Sequence, residues 1–322
     1  MQDEFDIEVN FEQNSSMTFE IGHNSVRFPK AGIKINNEGL TTTNGEQIQN
    51  TQESITHQQI KVGDVIGQGI INVFDKDKRH QMLNDLSTLL NGCECEQLIK
   101  FYGAYYEEGT IRLVLEYMDQ GSLRSIIQQI YKHNLSELIN EQIIATITYN
   151  ILMGLQYLHQ QKHQLHRDIK PENILINSLG QIKLTDFGIS KQLENTIAIA
   201  RTFVGTLMYM SPERTEDIWS LGLIIYEMAT GKHPYSVSNK QMTYIQMIQN
   251  ILKSDSPKLD NYPYSLEMRD FVNICLNKDQ NKRLDAQTLL QHNWIKKNAQ
   301  NGQYVQMWIM QKDQKLQQVQ QQ

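Results

Sequence analysis

The residues best suited to chemistry fall in two clusters, His166-Arg167-Asp168-Ile169-Lys170-Pro171-Glu172-Asn173 and Asp186-Phe187-Gly188. Asp186 follows Asp168 by 18 positions. The carboxylates of Asp168 and Asp186 and the amide of Asn173 are hard oxygen donors of the kind magnesium takes, and Lys170 adds a point positive charge. Such a set suits chemistry in which an anion is held and neutralised while a proton moves. A surface turn with mixed acids and bases would use the same residue types. So would a mixed α/β hydrolase working through Asp168 and His166.

Elements of the right kind surround these clusters. Glu141 to Gln160 places Ile144, Ile147, Ile151, Leu155 and Leu158 at helical spacing, which predicts a long helix leading toward His166. Ile174-Leu175-Ile176 and Ile182-Lys183-Leu184 predict a hairpin across Asn177 to Gly180, carrying the chain from the first cluster to the second. Ile111 to Glu116 predicts an apolar strand, after which Gly121-Ser122 opens a helix with Ser122 as its cap. Asp217 to Thr230 predicts a buried helix closed by Gly231, with one charge, Glu227, inside its apolar run. Upstream, Ile60 to Ile66 alternates like a strand until Gly67-Gln68-Gly69, and Asp75 to Leu90 reads as a helix.

Composition narrows the classes. The 322 residues are 39% hydrophobic, enough for a sizeable core. A net charge of -6 and a pI near 5.9 argue against a dedicated nucleic-acid binder or a membrane-surface protein. No apolar run is long enough to span a bilayer. The acidic start, Met1 to Asp6, does not read as a signal peptide. Cys93, Cys95 and Cys275 read as idle thiols of a reducing compartment, so the expected location is cytoplasmic. Residues 1–57 are polar, with strand-like pieces at Ser25 to Phe28 and Gly32 to Ile35 and a turn signal at Asn37-Glu38-Gly39. A small flap and a floppy tail both fit this stretch, and the expectation is that it is mostly mobile. Gln311 to Gln322 is glutamine-dominated and expected to be disordered.

The two clusters, in this order and joined by a hairpin of this length, resemble the catalytic loop and magnesium-binding turn of eukaryotic protein kinases. The resemblance runs on through Gly205-Thr206, Ser211-Pro212-Glu213, Asp217-Ile218-Trp219-Ser220-Leu221-Gly222, Asn281-Lys282-Arg283-Leu284 and His292-Asn293-Trp294-Ile295. It implies an α+β, two-lobe fold. A polar extension occupies 1–57 and the kinase domain 58–297, split into a truncated N-lobe with hinge (58–118) and a C-lobe (119–297). A Gln-rich tail fills 298–322.

The resemblance also implies roles. Asp168 would take the substrate hydroxyl's proton, and Lys170 would stabilise the moving phosphoryl group. Asn173 and Asp186 would hold Mg, with ATP as phosphate donor. Gly67 and Gly69 would begin the phosphate-covering loop. Glu116 and Met118 would meet the adenine edge through backbone groups, with Leu115 behind the pocket and Leu175 under the ring. Arg167 would hold a negative partner in the activation segment, and His166 would pack with Phe187. Asp217 would anchor the catalytic-loop backbone, and Arg283 would pair with Glu213.

Phe101-Tyr102-Gly103-Ala104, Glu116 to Leu123, Phe203-Val204-Gly205-Thr206 and Tyr209 to Arg214 resemble the MAP kinase kinase family, the plant-type group three in particular. The family implies a MAP kinase substrate phosphorylated on Ser/Thr and Tyr, and an upstream MAP kinase kinase kinase. Thr196 and Thr202, with five residues between them, have the spacing of that group's activating phosphosites. No nucleic-acid or membrane partner is expected.

Two stretches depart from the pattern. After Gly69 the chain passes straight to Ile70-Ile71-Asn72-Val73-Phe74-Asp75-Lys76, so about twenty residues, including the third-strand lysine, are missing. Asp85 stands where the partner glutamate of that lysine is expected. After Arg214 only Thr215-Glu216 precede Asp217, where the family has roughly ten residues. Missing exons, a splice variant and a catalytically impaired scaffold all fit these losses.

Overall fold

The computed structural model describes residues 20–22, 25–28, 33–36, 39–42, 70–72, 95–107, 110–185, 209, 211, 217–235 and 244–320. The chain divides into two units.

The described residues of the first unit form two antiparallel sheets. Strands β1 (Glu20–Gly22), β2 (Ser25–Phe28), β3 (Ile33–Asn36) and β4 (Gly39–Thr42) pair in sequence order. Strand β3 pairs with β4 in a register that sets Asn36 opposite Gly39. Val26 faces Ile35, and both are fully buried. Strands β5 (Ile70–Asn72), β6 (Phe101–Glu107) and β7 (Thr110–Leu115) form the second sheet in the order β5-β7-β6. Strands β2, β3 and β4 lie against β6. The expectation that residues 1–57 are mostly mobile is therefore corrected for the described strands, 20–22, 25–28, 33–36 and 39–42. Each strand there is only three or four residues, too little to be stable alone, and gains its stability by pairing and by covering a neighbouring sheet.

The second unit is mainly helical. Among the described residues its α-helices are α1 (Leu123–Lys132), α2 (Glu141–Gln156), α3 (Asp217–Thr230), α4 (Tyr244–Lys253), α5 (Leu266–Cys275), α6 (Ala286–Leu290), α7 (Asn293–Asn298) and α8 (Gly302–Gln320). Helix α2 is central, touching α3, α6, α7, α8 and strand β9 (Ile182–Leu184). Ten of its 16 residues are buried, which explains why it is largely apolar. Asn140 caps it by accepting the Ile143 N–H at 2.9 Å. Glu141, in its first turn, accepts from Trp294 Nε1 (2.9 Å) and from the backbone N–H (3.1 Å) and hydroxyl of Ser265, which ties α2 to α5 and α7.

Helix α3 ends where expected, with Gly231 at φ +70° in the left-handed region. Ser122 caps α1, accepting from Ser125 N. Strand β8 (Ile174–Ile176) pairs with β9 as the predicted hairpin.

The glutamine-rich tail is the second correction: it is helical through Gln320. Val305, Trp308 and Ile309 form an apolar stripe at helical spacing just ahead of the glutamines. Once that stripe docks, the helix propagates cheaply into residues of good helix propensity. Cys275 is a buried free thiol, and burial pushes its pKa up, which keeps it protonated. No helix among the described residues is long and apolar enough to cross a membrane.

Candidate active site

The site is built around one buried carboxylate. Asp217 begins α3, where the helix N-terminus favours a negative charge. Its Oδ2 accepts the His166 N–H at 2.8 Å and its Oδ1 the Arg167 N–H at 2.7 Å. His159 Nε2 lies 2.8 Å from Oδ2. Asp217 is 2% exposed. Burial alone would raise its pKa, but the His159 hydrogen bond, the electrostatic influence of His166 and His159 and the His166 N–H outweigh it and hold the carboxyl below its ordinary value. The loop hung from this group is strained, since Arg167 adopts φ +65°. His166 is fully buried, with Nε2 3.0 Å from the Thr185 carbonyl.

Beyond Arg167 the loop turns its polar groups toward Asp168. Lys170 Nζ donates to Asp168 Oδ2 at 2.7 Å. Pro171 opens a 3-10 turn, Pro171–Asn173, that brings Asn173 back toward the same group. Asn173 Nδ2 donates to the Asp168 carbonyl and to Asp168 Oδ2, both at 2.9 Å. One carboxylate oxygen is thus anchored twice, while Asp168 Oδ1 takes no hydrogen bond among the described residues. The Asn173 amide is committed through its nitrogen, which fixes its flip and leaves Oδ1 as a hard donor. That donor chemistry fits magnesium.

Sequence reasoning brought Asp168, Lys170, Asn173, His166, Arg167 and Asp217 together, and so does the structure. Arg283 is elsewhere in the unit: its Nε donates to the Asn277 carbonyl at 2.7 Å and its guanidinium lies over the Trp219 ring at 5.2 Å. Its expected partner Glu213 lies outside the described residues, as do Asp186, Phe187, Gly67, Gly69, Asp85, Thr196, Thr202 and Cys93. The predicted strand at 60–66 and helix at 75–90 fall there too.

Of the residues expected at adenine, Leu115 and Glu116 belong to the first unit. Leu115 pairs with Phe101, and the Glu116 N–H donates to the Lys100 carbonyl at 2.9 Å. Met118 and Leu175 belong to the second. The Met118 carbonyl accepts the Gly121 N–H at 3.0 Å. Met118 is 5% exposed, yet its own N–H has no hydrogen-bond partner among the described residues. Leu175 is half-buried on β8 and bridges to Ser122.

Sequence reading missed a polar cluster beside the loop. Arg124 on α1 donates to Glu172 Oε1 at 2.7 Å, to Glu227 on α3 and to the Tyr209 hydroxyl, which in turn donates to Glu227. Ser220 Oγ donates to the Tyr209 carbonyl at 2.6 Å. Burial disfavours the Arg124 charge, but Glu227, Tyr209 and Glu172 outweigh it and raise its pKa. Burial and the Glu227 carboxylate push the Tyr209 phenol well above its usual value. The available signal was Glu227 itself, a charge inside the apolar run Leu221 to Ala229, which needs a buried partner.

A pinned carboxylate with one open oxygen, beside a lysine and an amide oxygen suited to a divalent ion, supplies what phosphoryl transfer asks of a protein: positioning and charge neutralisation. Hung from α3 and followed by a short hairpin, in an α+β chain of one sheet unit and one helical unit, it defines the protein kinase class. The protein kinase domain pattern matches residues 69–295, and the chain belongs to that family. Among curated relatives it is 40% identical over 220 residues to Mitogen-activated protein kinase kinase 2 of Arabidopsis thaliana, covering 65% of this chain and 59% of the relative. It is 41% identical over 238 residues to Mitogen-activated protein kinase kinase 3 of the same plant (71% and 44%). It is 37% identical over 249 residues to Dual specificity mitogen-activated protein kinase kinase dSOR1 of Drosophila melanogaster (68% and 61%). The chain spans between 44% and 61% of these relatives' lengths. The fly match is 249 residues long yet takes up 68% of a 322-residue chain, so that relative carries residues within the match that this chain lacks.

Proposed function

We propose that the chain is an ATP- and magnesium-dependent protein kinase of the MAP kinase kinase type, phosphorylating Ser/Thr and Tyr in a MAP kinase activation loop. The carrying observation is the geometry at Asp168. With Oδ2 held by Lys170 and Asn173, Oδ1 is left to accept the proton of a substrate hydroxyl. Lys170 places its ammonium where charge develops on the transferred group. Asn173 and Asp186 would hold magnesium, which would supply charge neutralisation for the phosphates. The Met118 N–H is a donor for the adenine edge, and Leu175 offers an apolar surface beneath the ring. Thr196 and Thr202 are the proposed targets of an upstream MAP kinase kinase kinase, with Arg167 receiving the charge they gain. The cytoplasm is the proposed location.

The test is a transfer assay on a catalytically dead MAP kinase, read by phosphopeptide mass spectrometry. Asp168→Asn should lower transfer by about a hundredfold or more while melting like wild type. Wild-type transfer by this variant would overturn the reading. The stretch Gly69 to Lys76, without the family's third-strand lysine, favours a second reading, a non-catalytic scaffold. That reading predicts docking of a MAP kinase with neither Mg-ATP stabilisation nor transfer.

A further inference from the structure

Helix α8 lies beyond the matched kinase pattern, and the function proposed above does not use it. Its inward face nevertheless carries Lys312, only 3% exposed. Lysine is among the residues least often buried unless paired. Lys312 Nζ donates to Gln120 Oε1 at 2.9 Å and pairs with Asp313 Oδ1 at 3.0 Å. Gln120 belongs to the turn that leaves Met118.

That turn is joined to β8. The Gln120 N–H donates to the Ile176 carbonyl (3.1 Å), the Ile176 N–H donates to the Gly121 carbonyl (3.0 Å), and Ser122 bridges to Leu175. Next to Gln120, Asp119 accepts the Ser178 N–H at 2.7 Å, from the loop of the β8–β9 hairpin. The two residues proposed to read adenine in this unit, Met118 and Leu175, therefore share one small hydrogen-bonded ladder.

Helix α8 grips this ladder at both ends. Lys312 holds the Gln120 side. At the other end Gly180, at φ +79° in the hairpin turn, approaches the N-terminus of α8 so closely that a Cβ there would sit 2.0 Å from the Gly302 carbonyl oxygen. Trp308 Nε1 donates to the Leu138 carbonyl at 2.8 Å, and the Tyr304 hydroxyl bonds to Gln142 Oε1 at 3.0 Å. These contacts fix α8 on the turn at Leu138 and on the start of α2, so it is a rigid support.

We infer that α8 is a brace for nucleotide binding, with Lys312 as a positioning residue acting through Gln120. This rests on the nucleotide role proposed for Met118 and Leu175. Lys312 touches neither nucleotide nor substrate. Its hydrogen bond keeps the Met118–Ser122 turn ordered before nucleotide arrives, so that the ordering entropy is not charged against binding. The chemistry step itself is untouched, so the effect falls on ATP affinity and not on turnover.

The test uses the full chain. Mg-ATP affinity is measured by calorimetry for wild type, Lys312→Met and Lys312→Arg, alongside amide hydrogen exchange in the absence of nucleotide. K312M should weaken Mg-ATP binding about tenfold, a usual size for coupling between sites. K312R, which keeps a charged donor, should recover most of the loss. Exchange in K312M should quicken at Gln120, Gly121 and Ile176 but not in α2. K312M binding Mg-ATP as wild type does would overturn the inference alone. Uniformly faster exchange across α2 and α3 would reduce Lys312 to a general stability role and also overturn it. A wild type that binds no Mg-ATP overturns both the inference and the reading beneath it.

Discussion

Replacing Asp217 by Asn tests the way the catalytic loop is held. The two N–H donors of His166 and Arg167 use different oxygens of the carboxylate, Oδ2 at 2.8 Å and Oδ1 at 2.7 Å. An amide has one acceptor oxygen, so in either flip one buried N–H faces an NH2 group. The loss is one hydrogen bond to a charged acceptor plus an orphaned buried donor, together about 3 kcal/mol. With a urea slope of about 3 kcal/mol/M, the unfolding midpoint falls by about 1 M. The chain's three tryptophans, Trp219, Trp294 and Trp308, all lie in the helical unit and report its unfolding by fluorescence. The pH dependence has a definite sign. The folded carboxyl titrates below its ordinary value of 3.8, so its stabilisation is complete well above that pH. It fades below 3.8 and is gone once pH has passed the lower folded value. The gap between wild type and D217N is therefore flat from about pH 7 to 5 and narrows at about pH 3. A midpoint unchanged by the substitution, or a gap that stays constant through the acid range, would refute the reasoning.

Two further perturbations probe neighbouring parts of the same unit. Arg124→Met leaves Glu227, 4% exposed, without its cation and should cost about 3 kcal/mol, partly recovered by adding Glu227→Gln. Urea melts check this, and an R124M no less stable than Glu172→Gln, which alters the half-exposed partner, would rule it out. Gly180→Ala combines a left-handed φ with a contact to the Gly302 carbonyl and should destabilise by about 2 kcal/mol or more. The loss should show first in the environment of Trp308 on α8, and an unchanged Trp308 signal would contradict the close packing.

The linear order of residues carried much of this. Helix α2, helix α3 and the β8–β9 hairpin follow from local periodicity and turn residues, because each buries a continuous apolar face whatever surrounds it. Asp168, Lys170 and Asn173 were legible because they lie within six residues of one another, so that one loop conformation joins them. Only the folded chain showed which Asp168 oxygen is anchored, and that Arg124, Tyr209, Glu172 and Glu227 converge from separate elements. It also showed that a glutamine-rich tail and a polar N-terminal stretch become helix and sheet. The reason is the same in each case: a side chain that must be satisfied in the interior, or a short element that must be covered, takes its partner from whatever the fold brings near, and sequence distance says nothing about that.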